Sequence, residues 1–156
     1  MHIRLLAVGD RQPVWVDDAV ESYTARFPRE WRFRLDLLTT AKRSRKESAK
    51  RVIETEGEHL LSKIDGGEQV VLLDERGTQL SSKSLAQQLV QWQTDGRDLC
   101  FVIGGPDGVS SAVRSRADFV WSLTRLTLPH GLARVLYAEQ MYRAWSLGAG
   151  HPYHRT

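Results

Sequence analysis

Residues Leu99–Ser110 read LCFVIGGPDGVS: an apolar run, a turn carrying Gly104, Gly105 and Gly108, and then the start of a helical pattern. The apolar run is a strand, and Gln69–Asp74 (QVVLLD), uninterrupted until its last residue, is a strand buried on both faces. Beyond the glycine turn, VSSAVRSRA reads as a short helix, DFVWSL as a strand and GLARVLYAEQMYRAWSLG as a long closing helix. Upstream, HIRLLAVG is a strand. PVWVDDAVESYTARF spaces Val16, Val20, Tyr23 and Phe27 helically, with Pro13 suited to the first turn. RFRLDLLTT alternates Phe33, Leu35 and Leu37 as a strand. ESAKRVIETEGEHLLSKI gathers Val52, Ile53, Leu60, Leu61 and Ile64 on one side until Gly66 and Gly67 stop it. LAQQLVQWQ is a helix capped by Ser81 or Ser82. Strand and helix alternate throughout, so the expected fold class is α/β: a mostly parallel sheet with helices on both faces and ligands near the carboxyl ends of the strands.

The 156 residues suit a single domain, 1–156, large enough to bury a core without disulfide staples. The one cysteine, Cys100, lies inside an apolar run and has no partner in its own chain, which fits a reducing compartment. No apolar stretch approaches the roughly 18 residues of a membrane span, and MHIRLLAVGD breaks its apolar core too early for a secretion signal. A cytoplasmic protein without a membrane partner is expected. Net charge is only +3, but six of the ten residues in KRSRKESAKR, Lys42 to Arg51, are Lys or Arg. Lys42, Arg43, Arg45 and Lys46 are either a solvated loop or a phosphate-contacting patch for RNA.

Three strand ends draw attention: Leu73 with Asp74, Gly104 with Gly105, and Leu123 with Thr124. Glycines at a strand-to-helix turn let backbone approach a ligand, though a tight βα turn alone would also use them. The spacing is not GxGxxG and no P-loop lysine follows, so a phosphate cradle, and with it a phosphotransferase, is poorly supported. In the closing helix, Leu132, Val135, Leu136, Tyr137, Ala138, Met141, Tyr142 and Trp145 occupy almost the whole circumference. Such a helix must be covered on every side. One face packs on the sheet and the other needs a second molecule, which points to a two-fold homodimer. Glu139 and Arg143, at i and i+4, are a mutual ion pair or an arginine held beside a site.

GGPDG after a strand, LTLPHGLARVLYAEQMYRAWS and the ending HPYHR together resemble the RlmH family, the large-subunit ribosomal RNA methyltransferases H of the SPOUT (α/β-knot) superfamily. The likeness extends through LLAVG, WV, RFP at Arg26–Pro28, the basic run and DGRD, and so spans the chain. It implies a C-terminal trefoil knot, S-adenosylmethionine as methyl donor with no metal, and a homodimer whose site draws on both copies. The substrate it implies is N3 of a pseudouridine in helix 69 of 23S ribosomal RNA, within the assembled ribosome. Carried over by residue, the donor pocket comprises Leu73, Gly104, Gly105 and the segment Leu123, Thr124, Arg125, Leu126, Thr127 and Leu128, with Leu126 and Leu128 flanking adenine. Thr124 and Thr127 could equally be loop caps.

The tail, 148–156, follows from the same likeness. Extended, it spans up to about 30 Å, enough to cross a dimer interface and close the neighbour's pocket. Methylating an imide nitrogen requires removal of its proton. His154 or His151 could accept it, Arg143 or Arg155 could polarise the adjacent carbonyl or hold phosphate, and Tyr153 could stack on the base. His130 could merely open a helix, and His2 and His59 read as solvent residues. A ribosome-binding protein without catalysis is the competing class; it would leave the glycine turn and the tail without a purpose.

Overall fold

The computed structural model describes residues 1–9, 11–41 and 48–155, with Arg155 described in its backbone only. Strands β1 (Ile3–Val8), β2 (Arg34–Leu38), β3 (Gln69–Gln79), β4 (Leu99–Ile103) and β5 (Phe119–Ser122) form one sheet in the order β2-β1-β4-β3-β5. Every neighbouring pair is parallel. The helices are α1 (Val14–Thr24), α2 (Ala49–Lys63), α3 (Ser82–Asp95), α4 (Ser111–Arg116) and α5 (His130–Gly148).

Side chains alternate across the sheet and divide the core in two. Ile3, Leu5, Ala7, Val71, Phe101 and Ile103 face α1, α3 and α5, whose Val16, Val20, Leu85, Leu89, Trp92, Tyr137 and Met141 cover them. Leu6, Val8, Val70, Leu72, Cys100 and Val102 face α2 and α4, through Leu60 and Val113. The crossovers β1-α1-β2 and β3-α3-β4 step one way along the sheet and use the first face; β2-α2-β3 and β4-α4-β5 step the other way and use the second. A single handedness of crossover demands that partition.

The helix ends behave as the capping residues require. Ser48, Ser81 and Ser110 each accept a hydrogen bond from the backbone N–H three residues on, so Ser81, not Ser82, caps α3. Cys100 is fully buried, which pushes its thiol up to about 12. In β1, Arg4 is the buried exception to apolar alternation. Its Nε and Nη2 donate to Glu68 Oε1 and Oε2 at 2.7 and 2.6 Å, and its Nη1 to Asp36 at 3.2 Å. No helix among the described residues is long and apolar enough to cross a membrane.

Three local readings change. The strand expected to end at Asp74 continues to Gln79: both Leu73 and Thr78 pair with Trp121, so residues 74–77 bulge out of the ladder. Gly77 permits this, because a Cβ there would stand 2.6 Å from the Val120 carbonyl oxygen. On edge strand β2 the alternation holds, yet Leu37 is exposed and Leu38 is buried on the opposite face. The tail is not extended. Gly150, at φ 66°, turns the chain after α5, and Pro152–Arg155 coil into a 3-10 turn packed on that helix.

Candidate active site

The carboxyl ends of β3 and β4, with the segment following β5, surround a cavity of about 440 Å3. Leu73, Gly104, Gly105, Leu123, Thr124, Leu126, Thr127 and Leu128 all line it. Arg125, expected with them, is exposed and does not. Leu126 stands at the lip, 73% exposed.

The two threonines have local partners. Thr124 Oγ1 accepts from the Leu126 N–H at 3.2 Å, and Thr127 Oγ1 donates to Glu75 Oε2 at 2.8 Å. The glycine turn is also constrained from behind. A Cβ on Gly105 would lie 2.6 Å from Oε2 of buried Glu56 in α2, and one on Gly104 would collide with Val109. A side chain at either glycine would therefore displace Val109 or the Glu56 carboxylate beneath the turn, whatever occupies the cavity.

Beside Asp74, one of the strand ends named from sequence, the β3 bulge adds Glu75, a carboxylate that the sequence reading did not single out. Asp74, Glu75 and Arg76 line the wall. Asp74 accepts from the Arg76 backbone N–H at 2.8 Å and pairs with Arg114 of α4. Burial alone would raise the Asp74 carboxyl, but the bonds from Arg76 and the charge of Arg114 outweigh it and hold it below the usual range.

His130, read from sequence only as a helix opener, lines the same cavity. Its Nε2 is buried and has no hydrogen-bond partner among the described residues. Burial and then the charge of Arg134 lower this imidazole to about 4, so the ring is neutral at physiological pH. Arg134, one turn on, is 1% exposed and its Nε and Nη2 find no hydrogen-bond partner among the described residues. Its burial lowers its own pKa, with Asp17 opposing. Gly9 admits both groups: a Cβ there would stand 2.9 Å from Arg134 Nη2 and 3.1 Å from His130 Nε2. A signal existed in part, since HGLAR puts a histidine and an arginine at i and i+4, but their meeting with β1 is tertiary.

The expected tail residues gather elsewhere. Arg143 donates twice to Glu139 Oε1, at 2.9 and 2.6 Å, and the Tyr153 hydroxyl donates to the same oxygen at 3.0 Å. The bonds to Glu139 raise the Arg143 guanidinium; burial first, then bonds to Tyr23 and Glu139, push up the Tyr153 phenol. His151 is exposed, and its Nδ1 accepts the Tyr153 backbone N–H at 3.2 Å. His154 has its Nδ1 buried, without a hydrogen-bond partner among the described residues. Glu139 lies nine residues beyond His130 on α5, about 14 Å along the axis, and no described tail residue lines the cavity. The Arg155 side chain and Lys42, Arg43, Arg45 and Lys46 lie outside the described residues.

On the outer side of α5, Leu132 and Leu136 are 39% and 37% exposed, and Val14 and Trp15 of neighbouring α1 are also bare. Chemically, the arrangement offers a leucine-walled cleft with backbone and carboxylate groups at its rim, plus a separate cluster of tyrosine, arginine and histidine.

Comparison with known proteins gives a consistent result. The family profile described as “Predicted SPOUT methyltransferase” matches residues 1–154. The chain is 48% identical over 155 residues to the ribosomal RNA large subunit methyltransferase H of Thioalkalivibrio sulfidiphilus, covering 99% of each chain. It is 44% identical over 155 residues to the protein of the same name from Methylococcus capsulatus, covering 99% of this chain and 100% of that one. Among solved structures, a probable methylase family protein from Haemophilus influenzae shares the fold at a TM-score of 0.56 and 12% identity, over 97% of this chain and 69% of that one.

Proposed function

The chain belongs to the SPOUT methyltransferase family, and from that membership we propose that it methylates large-subunit ribosomal RNA with S-adenosylmethionine as donor. The observation that carries the reading is the cavity at the ends of β3 and β4, lined by residues 73, 104–105, 123–124 and 126–128. Its volume lies in the range of small-molecule sites, roughly 300–1,000 Å3. Leu73, Leu126 and Leu128 suit an adenine, and the Asp74 and Glu75 carboxylates suit a ligand bearing positive charge. When bound, the donor supplies a methyl group on a sulfonium, whose carbon–sulfur bond breaks as the bond to the acceptor nitrogen forms.

The finer reading is that the acceptor is N3 of a pseudouridine in helix 69 of 23S ribosomal RNA, met on the assembled ribosome in the cytoplasm. The chain works as a homodimer and as one domain, 1–156, whose C-terminal segments are threaded in the family's trefoil knot. Two observations support the dimer: the bare apolar stripe of Leu132 and Leu136, and a tail that cannot serve the cavity of its own chain from 14 Å or more along α5. Two-fold pairing through this helix lets the tail, 148–156, complete the neighbour's site. There His154, with a free and sheltered nitrogen, takes the N3 proton; His151 is the weaker candidate because its Nδ1 is already engaged. Arg143, fixed by Glu139, and Arg155 stabilise the charge that develops on the imide, and Tyr153 stacks on the base. Lys42, Arg43, Arg45 and Lys46 hold phosphates of the same target.

Calorimetry with S-adenosylmethionine, followed by mass spectrometry of 23S ribosomal RNA after incubation with ribosomes from cells lacking the gene, tests the proposal. Donor affinity with one new methyl on a pseudouridine is the expected result. Ribosome binding without donor affinity would identify a non-catalytic binding protein and overturn it.

A further inference from the structure

We propose that Arg26, at the end of α1, is a positioning residue that latches the C-terminal tail and so aims His154; this rests on the reading that the tail carries the proton acceptor. Three tyrosine rings from three separate segments surround the Arg26 guanidinium. Its central carbon lies 5.1 Å from the ring centre of Tyr23 in α1, 4.4 Å from Tyr142 in α5 and 5.4 Å from Tyr153 in the tail. Its Nε donates to the Ser22 carbonyl at 2.9 Å, which fixes the stem. No carboxylate among the described residues pairs with it, so ring faces are what this cation is built to meet.

Tyr153 is held at both ends. Arg26 lies on its ring, the Tyr142 ring packs against it edge-on at 4.7 Å, and Glu139 accepts from its hydroxyl at 3.0 Å. Trp145 and His151 extend the ring cluster beneath Tyr142, at 5.5 and 6.1 Å. A 3-10 turn makes few backbone bonds of its own, so contacts at Tyr153 set where the next residue, His154, points. The aim of the tail is thus set within its own chain, before a second copy is engaged. Arginine suits the task because its planar guanidinium stacks on rings, whereas a lysine ammonium is a compact, strongly hydrated point charge.

The test uses the full-length dimer with Arg26→Met, which keeps an apolar stem and loses the cation, and Arg26→Lys, which keeps the charge. Expected for Arg26→Met is a fall of about tenfold or more in single-turnover methylation of ribosomes, with S-adenosylmethionine affinity and melting temperature unchanged and amide exchange at 151–155 accelerated. Arg26→Lys should recover part of the rate. A rate within twofold of the parent in Arg26→Met, or a loss that merely tracks donor affinity or melting temperature, overturns the latch. A chain ending at Gly150 separates the two levels. If that truncation is inactive while Arg26→Met is fully active, only the latch fails; if the truncation retains full activity, the tail reading fails and takes the latch with it.

Discussion

His130 should make the protein measurably acid-sensitive. The ring is neutral in the folded state, held at about 4 by burial and by Arg134, against an ordinary value of 6.5. Between these values the unfolded chain binds the proton and the folded chain does not, so stability falls as pH drops from 6.5 through 4. The stabilisation is complete above the unfolded value and lost below the folded one. The full span corresponds to about 3 kcal/mol, of which about 2 falls between pH 7 and pH 5. Because the ring lines an open cavity, solvent screening reduces that second figure to about 1 kcal/mol. His130→Asn keeps a polar side chain at this position but cannot titrate. Urea unfolding of parent and variant at pH 7 and pH 5 should therefore show the parent losing about 1 kcal/mol more than the variant. The imidazole resonances of His130 should stay fixed from pH 8 down to about 5. Parallel stability curves, or an imidazole titrating near its ordinary value, would refute the assignment of a buried neutral ring.

Removing the carboxylate that holds Arg4 Nε and Nη2 leaves the buried guanidinium only Asp36 and the Lys63 carbonyl among its described partners, so Glu68→Ala should cost about 3 kcal/mol in urea unfolding, without altering donor affinity per folded molecule. Gly77→Ala drives a Cβ into the Val120 carbonyl; it should cost about 1–3 kcal/mol and weaken S-adenosylmethionine binding in calorimetry, because the bulge it props carries Asp74 and Glu75. Leu136→Glu puts a carboxylate into each half of the proposed two-fold contact, and light scattering should report monomers with methyl transfer lost and circular dichroism unchanged. His154→Ala should slow single-turnover methylation by about 10²–10⁴-fold while donor affinity holds; an unchanged rate would pass the proton to another acceptor.

The order of elements was legible because buried parallel strands cannot hide: LLAV, VVLL and LCFVI are continuous apolar runs, and the amphipathic segments between them have helical spacing. Strand order was not. Nothing in Arg4 announces Glu68 as its partner, 64 residues away, because that pairing depends on β4 slotting between β1 and β3. The β3 bulge escaped for a related reason. Thr78 and Gln79 are held by ladder bonds to β5, which leave no mark on apolar periodicity, and Gly77 reads as an ordinary turn residue until Val120 lies against it.

The candidate site divides along the same line. Residues donated by strand ends and one loop were readable, since a parallel sheet presents its carboxyl ends together and the resemblance supplied the loop. Residues that act through a neighbour were not. The apolar circumference of α5 led to the expectation of cover on two sides; the sheet-facing side is buried, Leu132 and Leu136 on the other are exposed, and the buried side also contains Arg134, which no apolar count would place there. Sequence spacing puts His130 and Arg134 on one helical face but cannot say that Gly9 opens a space for both. The glycine turn carries the same lesson in reverse. Gly104 and Gly105 suggest access for a ligand, but the nearest obstacles to a side chain are Val109 and Glu56, inside the protein. Local pattern fixes which elements meet the cavity, whereas the groups that tune it are chosen by contacts between α2, α5 and β1 that exist only once the sheet has formed.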